Sequence, residues 1–361
     1  MAMLFRAKHL YALAAVVLIA GCANFTYYLQ SVRGQLDIWS RQQDIETVLE
    51  RDDTPQALRE KLGRVLEIRE FASSALALPE NRSYRLYANL ERPYAVWNVF
   101  AAPEFSILPR EWCFAFAGCV KYRGYFEKPN ADAFAAEVAG EGSDVFVGGV
   151  PAYSLLGYFP DPVLNTFINY PPPFLARLIF HELAHQVVYV RDDSVFNESF
   201  AVTVEQEGLK RWLERYGSPA DRKLIDVISG RRDGFVRLIR SYRDRADALY
   251  ASGLPPPVMR VRKAELFTEL EADFRKLRET WGNFPGYDHW FSQKPNNALL
   301  ASVSIYTRRV PAFQALLASQ GGDLQRFYEE VRRISRLGKA ERTAALQQLM
   351  PRTADAGQIG D

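Results

Sequence analysis

Leu58, Leu62, Val65, Phe71, Ala72 and Leu76 recur three and four residues apart and fall close to one face of a helix, so the spacing predicts a helix over 58–76. Thr54-Pro55 supplies a cap and a first-turn proline for it. Residues 36–49 carry the same period, so 36–83 reads as a helical hairpin preceded by a tether at 22–35. The period then shortens. Tyr94 to Phe100 is aromatic and β-branched and reads as a strand, with further strands expected at 111–122 and at Asp144 to Val150. Between the last two lies a short helix, 130–141, with Asn130 as its N-cap. Pro171-Pro172-Pro173 leads into a helix over roughly 173–190, and Ser194 is the expected N-cap of the next, 195–215. From 221 to 345 the pattern is mostly helical, broken at 252–257 and again at 282–295. The pattern predicts an α+β fold: a core over 84–215, a helical C-terminal domain over 216–345 and a flexible tail over 346–361.

Composition narrows the class. A chain of 361 residues allows two or three domains, or one large one with helical additions. Its 45 Lys+Arg and 43 Asp+Glu leave a net charge of +2, which gives no electrostatic basis for a broad nucleic-acid surface, and no nucleic-acid partner is expected. Arginines do gather at 231, 232, 237, 240, 243 and 245, but Asp233, Asp244 and Asp247 interleave with them. A solvated helix face is preferred there to a site for anionic lipid or nucleic acid. Three cysteines are too few for a disulfide-built scaffold.

The N-terminus reads as an address. Arg6 and Lys8 precede an apolar run from Leu10 to Ile19, the length of a signal h-region and shorter than the ~20 residues that span a bilayer. Leu18-Ile19-Ala20-Gly21-Cys22 resembles the lipobox of bacterial lipoproteins, in which the cysteine is lipidated and becomes the first mature residue. The expectation is a signal peptide over 1–21 and lipidation at Cys22. The body would then be tethered to a membrane of the bacterial envelope and face the periplasm; Ala23 favours the outer membrane by the same resemblance. An uncleaved short anchor is the alternative. In an oxidising compartment the remaining pair, Cys113 and Cys119, is expected to form a small-loop disulfide, with two buried free thiols as the alternative.

The chemistry concentrates in His181-Glu182-Leu183-Ala184-His185. Histidines four apart lie one helical turn apart on one face, so both imidazoles reach one cation. Glu182 projects near the same side. Zinc lowers the pKa of a coordinated water toward ~7, and a carboxylate so placed takes its proton as general base. Uncharged neighbours, Leu178, Ile179, Phe180, Val187 and Val188, make the helix a buried one in which polar groups need partners. Catalytic zinc usually has three protein ligands. Glu198, in Asn197-Glu198-Ser199 thirteen residues after His185, is the candidate for the third, with His289, Glu205 and Glu207 as rivals. Glu205 is also a candidate partner for a ligating histidine. Tyr306 is the candidate phenol for an oxyanion, and the strand at Asp144 to Val150 is the candidate edge for pairing with a peptide backbone.

Several segments together resemble a bacterial predicted-aminopeptidase lipoprotein family, zinc metallopeptidases of the HExxH, gluzincin-like kind. They are Trp112-Cys113, Ala117-Gly118-Cys119, Tyr122-Arg123-Gly124-Tyr125-Phe126, Asp144 to Gly149, Ile179 to His185, Phe196 to Ala201, Asn296-Asn297-Ala298 and Val310 to Phe313. The resemblance implies a zincin-like core, one Zn²⁺ per chain on His181, His185 and Glu198, Glu182 as catalytic base, a peptide substrate and action at its N-terminus. Two departures stand out. The gap to Glu198 is shorter than in most glutamate zincins, and the Gly-x-Met-Glu-Asn segment of the well-known zinc aminopeptidases is absent. The competing expectation is a non-catalytic envelope lipoprotein that binds peptide or protein around a structural or degenerate zinc site.

Overall fold

A computed structural model describes residues 26–350 except 115–117, 156, 192 and 304–308. Cys22 and Tyr306 therefore lie outside the described residues. Helix α1 occupies 26–41, so most of the segment expected as a tether is helical. Gly34 lets α1 lie close to the body, because a β-carbon there would collide with the Phe126 ring. Gln30 Oε1 accepts from the Phe126 N–H, and the Arg123 guanidinium stands 4.1 Å over the Tyr27 ring.

After β1 (Gln43–Asp44) and α2 (Ile45–Glu50) comes α3 (Gln56–Leu76). Pro55, not Thr54, stands at its N-cap; Thr54 Oγ1 instead donates to the Val48 carbonyl at 2.6 Å and closes the preceding turn. The strand region comprises β2 (Leu86–Ala88), β3 (Val96–Pro103), β4 (Trp112–Phe114), β5 (Gly118–Val120), β6 (Arg123–Tyr125), α4 (Lys128–Gly140), β7 (Ser143–Val150) and β8 (Val163–Leu164). The one strand expected at 111–122 is a hairpin and a separate strand, since β4 and β5 pair antiparallel with Cys113 opposite Cys119 in a disulfide. Glu127 rather than Asn130 occupies the N-cap position of α4, whose first turn takes Pro129.

Strands β6, β3 and β7 form an antiparallel sheet in that order, and β1, β2 and β8 a smaller one. The outer edge of β7 is not open along its length. The Gln293 side-chain amide both donates to the Val147 carbonyl (2.6 Å) and accepts from its N–H (3.2 Å), as a neighbouring strand would. Asn296 Nδ2 donates to the Val145 carbonyl. At these positions the expected peptide-pairing edge is already satisfied within the chain.

The rest is helical: α5 (Pro172–Val187), α6 (Ser194–Tyr216), α7 (Pro219–Tyr250), α8 (Pro256–Thr280), a 3-10 turn (Pro285–Phe291), α9 (Asn297–Val303), α10 (Val310–Ser319), α11 (Leu324–Ser335) and α12 (Lys339–Leu349). The architecture is α+β with small sheets and flanking helices. Of three apolar clusters among the described residues, the two larger organise it and the third, around Val99, Tyr125 and Ala131, lies between the β6–β3–β7 sheet and α4. The larger gathers Leu62, Phe71 and Leu76 of α3, Phe180 of α5, Phe200 of α6 and Phe313 and Phe327 of α10 and α11. It therefore draws on residues from both sides of 84 and 216. The smaller joins Phe100 and Phe146 of the sheet to Phe235, Phe267 and Phe274 of α7 and α8 and to α9. Gly208 permits the close approach of α6, since a β-carbon there would stand 2.8 Å from both Leu76 and Phe180. No helix among the described residues is long and apolar enough to cross a membrane.

Candidate metal and catalytic site

Helix α5 buries Leu175, Ile179, Phe180, Leu183 and Ala184, which leaves Arg177, His181 and His185, spaced four apart, along one flank. Val188 is extended and ends the helix. The return is pinned by Asn197, whose buried amide accepts from the Val190 N–H and donates to the Val190 carbonyl, both at 2.7 Å. Asp193, not the expected Ser194, is the N-cap of α6: its Oδ1 accepts from the Phe196 N–H. Its Oδ2 meets Arg342 of α12 at 2.8 Å, in an ion pair whose side chains are 8% and 5% exposed.

So turned back, α6 runs beside α5 in the opposite sense and builds a polar ladder with it. Glu205 Oε1 accepts from Arg177 Nε at 2.7 Å and lies 2.6 Å from its Nη2, while Glu205 Oε2 lies 2.8 Å from His181 Nδ1. One rung on, Glu198 faces both histidines: Oε2 is 3.5 Å from His181 Nε2 and Oε1 is 3.6 Å from His185 Nε2. The two Nε2 atoms stand 3.2 Å apart. With Nδ1–H of His181 donated to Glu205, its Nε2 presents a lone pair toward the other ring nitrogen. That juxtaposition is repulsive unless a cation or a proton lies between them.

His181, His185 and Glu198 form a group able to hold a metal, with one donor atom from each within 4.8 Å of the others. The spacing suits zinc. Metal–ligand bonds of ~2.0–2.1 Å in a tetrahedron put ligand atoms about 3.3 Å apart, close to the 3.2, 3.5 and 3.6 Å found here. Two imidazoles and one carboxylate are the donor set of an open catalytic zinc site. Glu198 Oε2 is buried without a hydrogen-bond partner among the described residues, an atom that a cation would satisfy.

The electrostatics prepare these donors. Burial pushes His185 down to about 4, so its imidazole is neutral at pH 7. Burial also opposes a charge on His181, but Glu198 and Glu205 outweigh it and hold its pKa well above the ordinary value. Burial alone would raise Glu205; Arg177, His181 and Arg232 overcome it and keep the carboxylate at about 2. For Glu198 burial is likewise overcome, by the two histidines, and its pKa falls. Glu182 is different. Burial, only partly offset by His181 and reinforced by Glu198, raises it to about 7. Its half-buried side chain lines a cleft of about 270 Å³ together with His181 and Glu205.

Behind Glu182 lies a polar network centred on the buried Asp161 and Ser83 and reaching the surface at Asn81. Gln186 Nε2 donates to Asp161 Oδ2 (3.2 Å) and Ser83 Oγ (3.1 Å), while Asn81 donates to Gln186 at 2.8 Å. Tyr84 joins it in a left-handed conformation, φ 62°, rare for an aromatic residue. Burial first, then Glu182 and Asp161, hold its hydroxyl protonated. Tyr122, on the turn between β5 and β6, is raised by burial and then by Glu198, which puts its phenol in the field of the site.

The rivals for the third ligand lie elsewhere. His289 is exposed beside the Trp290 ring, Glu207 pairs with Arg211 at 2.7 Å, and Glu205 is engaged with His181 Nδ1. The sequence assigns no role in the site to Arg177, Arg232 or Tyr122: Arg232 reads as one of a solvated run, and Tyr122 only as part of a segment that carries the family resemblance. Arg177 was findable, since it stands four residues before His181 on the same helical face; Tyr122 has no local signal. Because Glu205 orients His181, Glu205→Gln is expected to weaken zinc binding about 10–100-fold. Competition against a chromophoric chelator measures this, and unchanged affinity would remove Glu205 from that role.

No curated protein and no solved structure matches the chain. A family model described as "Putative aminopeptidase" matches residues 26–346, which spans α1 to α12 and takes in both helices of the site, and the chain belongs to that family.

Proposed function

We propose that the protein is a zinc-dependent peptidase with a zincin-like core, the family's aminopeptidase activity being carried out at the α5–α6 site. The observation that carries this reading is the facing pair of Nε2 atoms 3.2 Å apart, closed by Glu198, with the raised carboxyl of Glu182 beside them. His181, His185 and Glu198 hold the metal, one ion per chain. When bound, zinc supplies a Lewis acid for the scissile carbonyl and acidifies water to a pKa of ~7. Glu182 then removes a proton from the attacking water and delivers it to the departing amine, a task suited to a carboxyl whose pKa lies near the working pH. Glu205 fixes the tautomer of His181, and Arg177 fixes Glu205.

Chelation is the direct test. Dialysis against a chelator should abolish cleavage of a panel of aminoacyl and internally cleaved peptides, and about one equivalent of zinc per chain should restore it. Full activity in the metal-depleted protein would end the zinc reading.

The same proposal has the protein anchored through Cys22 in the bacterial envelope and facing the periplasm, supported by the lipobox-like segment that ends at Cys22. Metabolic labelling with an alkynyl fatty acid should tag the wild-type chain and spare Cys22→Ser; equal labelling of both would exclude that cysteine.

A further inference from the structure

The cleft in front of Glu182 is electrostatically lopsided. Apart from Glu182, the carboxylate that lines it is Glu205, and Glu205 is fully engaged: Arg177 at 2.6 and 2.7 Å, His181 at 2.8 Å and Arg232 at 3.9 Å. Arg177 and Arg232 both converge on one oxygen, Glu205 Oε1. Two guanidinium groups thus share one carboxylate, and His181 draws on the same anion. Around Glu205 one guanidinium charge is left over, before the Glu182 carboxyl that lines the same cleft is counted. A dipositive ion held by two neutral histidines and a single carboxylate adds to that surplus.

Arg177 lines the cleft, and Arg232 lies beside it, outside the lining but 3.9 Å from Glu205 Oε1. Their side chains keep 23% and 30% of their exposure, and Arg177 commits Nε and Nη2 to Glu205 while its Nη1 stays available. Burial first, then the neighbouring Arg177, depress the Arg232 pKa against the opposing pull of Glu205 and Asp233. Asp233, the next residue of α7, is exposed. Beside the charges the cleft is apolar, with Tyr170, Phe174 and Leu178 in its lining. Its volume of about 270 Å³ is near the lower limit of small-ligand pockets, ~300 Å³.

A site that selects an α-ammonium group needs an uncommitted carboxylate, and among the residues lining this cleft only Glu182 is left, beside the metal donors. We propose that, at the end away from the scissile bond, the cleft recognises a free carboxylate: the substrate is a short peptide whose terminal carboxylate is held by Arg177 and Arg232, with an apolar side chain against Tyr170, Phe174 and Leu178. Guanidinium forks match carboxylates in geometry and charge. This rests on the peptidase reading and narrows its substrate class to short, free-acid peptides.

Binding can be read apart from turnover. Zinc-loaded full-length mature Glu182→Gln protein is titrated calorimetrically with Ala-Phe and with its C-terminal amide. The free acid should bind at least about tenfold more tightly, a difference of ~1.4 kcal/mol. Adding Arg232→Gln should bring the acid-to-amide ratio toward one, while Arg232→Lys, which keeps the charge, should retain part of it. Equal or tighter binding of the amide, or a ratio that survives Arg232→Gln, overturns the proposal. Hydrolysis by the wild-type protein is scored separately. If no peptide is cleaved although the acid is preferred, the peptidase reading fails and carboxylate recognition stands. If acid and amide are bound and cleaved alike, the reverse holds.

Discussion

Glu182→Gln should leave a folded protein with about one zinc per chain whose kcat on any peptide substrate is lower by about 10²–10⁴-fold. The amide keeps the size and shape of the carboxyl, so packing around α5 is unchanged; it loses only the capacity to take and return a proton. The wild-type carboxyl is raised to about 7 because burial disfavours its charge and Glu198 adds repulsion against the partial help of His181. Such a group exchanges protons readily near neutral pH, whereas a glutamine there is inert. Metal analysis and single-turnover kinetics on the same preparation check the claim. Retained zinc with undiminished hydrolysis would take Glu182 out of the mechanism, and lost zinc would make it structural.

His181→Ala should abolish stoichiometric zinc binding. His181 is the centre of the ladder: it meets Glu205 on one ring nitrogen and faces Glu198 and His185 on the other. Its loss removes one donor and leaves Glu198 facing His185 alone. Elemental analysis should fall from about one zinc per chain to near none; retention of the metal would move the site elsewhere. The pH dependence follows with a definite sign. In the metal-free protein His181 has a raised pKa and carries a proton at neutral pH. Zinc must displace that proton, so apparent affinity should weaken about tenfold for each pH unit lost below that pKa. His185, lowered to about 4, adds no further dependence until the solution is much more acidic. A pH-independent affinity between ~6 and ~8 would contradict the protonated His181.

What the sequence shows well is what short-range geometry dictates. The spacing of His181, Glu182 and His185 needs only helical periodicity, and an Asn-Glu pair on the following helix is enough to nominate Glu198. The helices α3, α5 and α6 follow from patterns that repeat within a few turns. What is not legible depends on partners far along the chain. Asp193 and Ser194 are both good caps, and the choice goes to Asp193, which also faces Arg342 of α12. Arg232 looks like one more solvated arginine until Glu205, from a different helix, draws it inward. The division at 84 and 216 follows composition, yet Phe313 stands 5.2 Å from Phe196 and Phe327 stands 5.8 Å from Phe200, ring centre to ring centre. Residues 26–35 look like a spacer because Phe126, which packs at Gly34, is about a quarter of the chain away.

The ion pair between Arg342 and Asp193 couples the geometry of the α5–α6 site to a helix 149 positions further along the chain. Both histidines and Glu198 are made well before α12, but the turn that presents Glu198 is clamped by an arginine from near the end of the chain. Replacing Arg342 by an uncharged side chain of similar size leaves Asp193 buried without its cation, a defect that in general costs about 3–5 kcal/mol. A change in α12, remote in sequence from every candidate ligand, is thereby felt at the turn that presents Glu198.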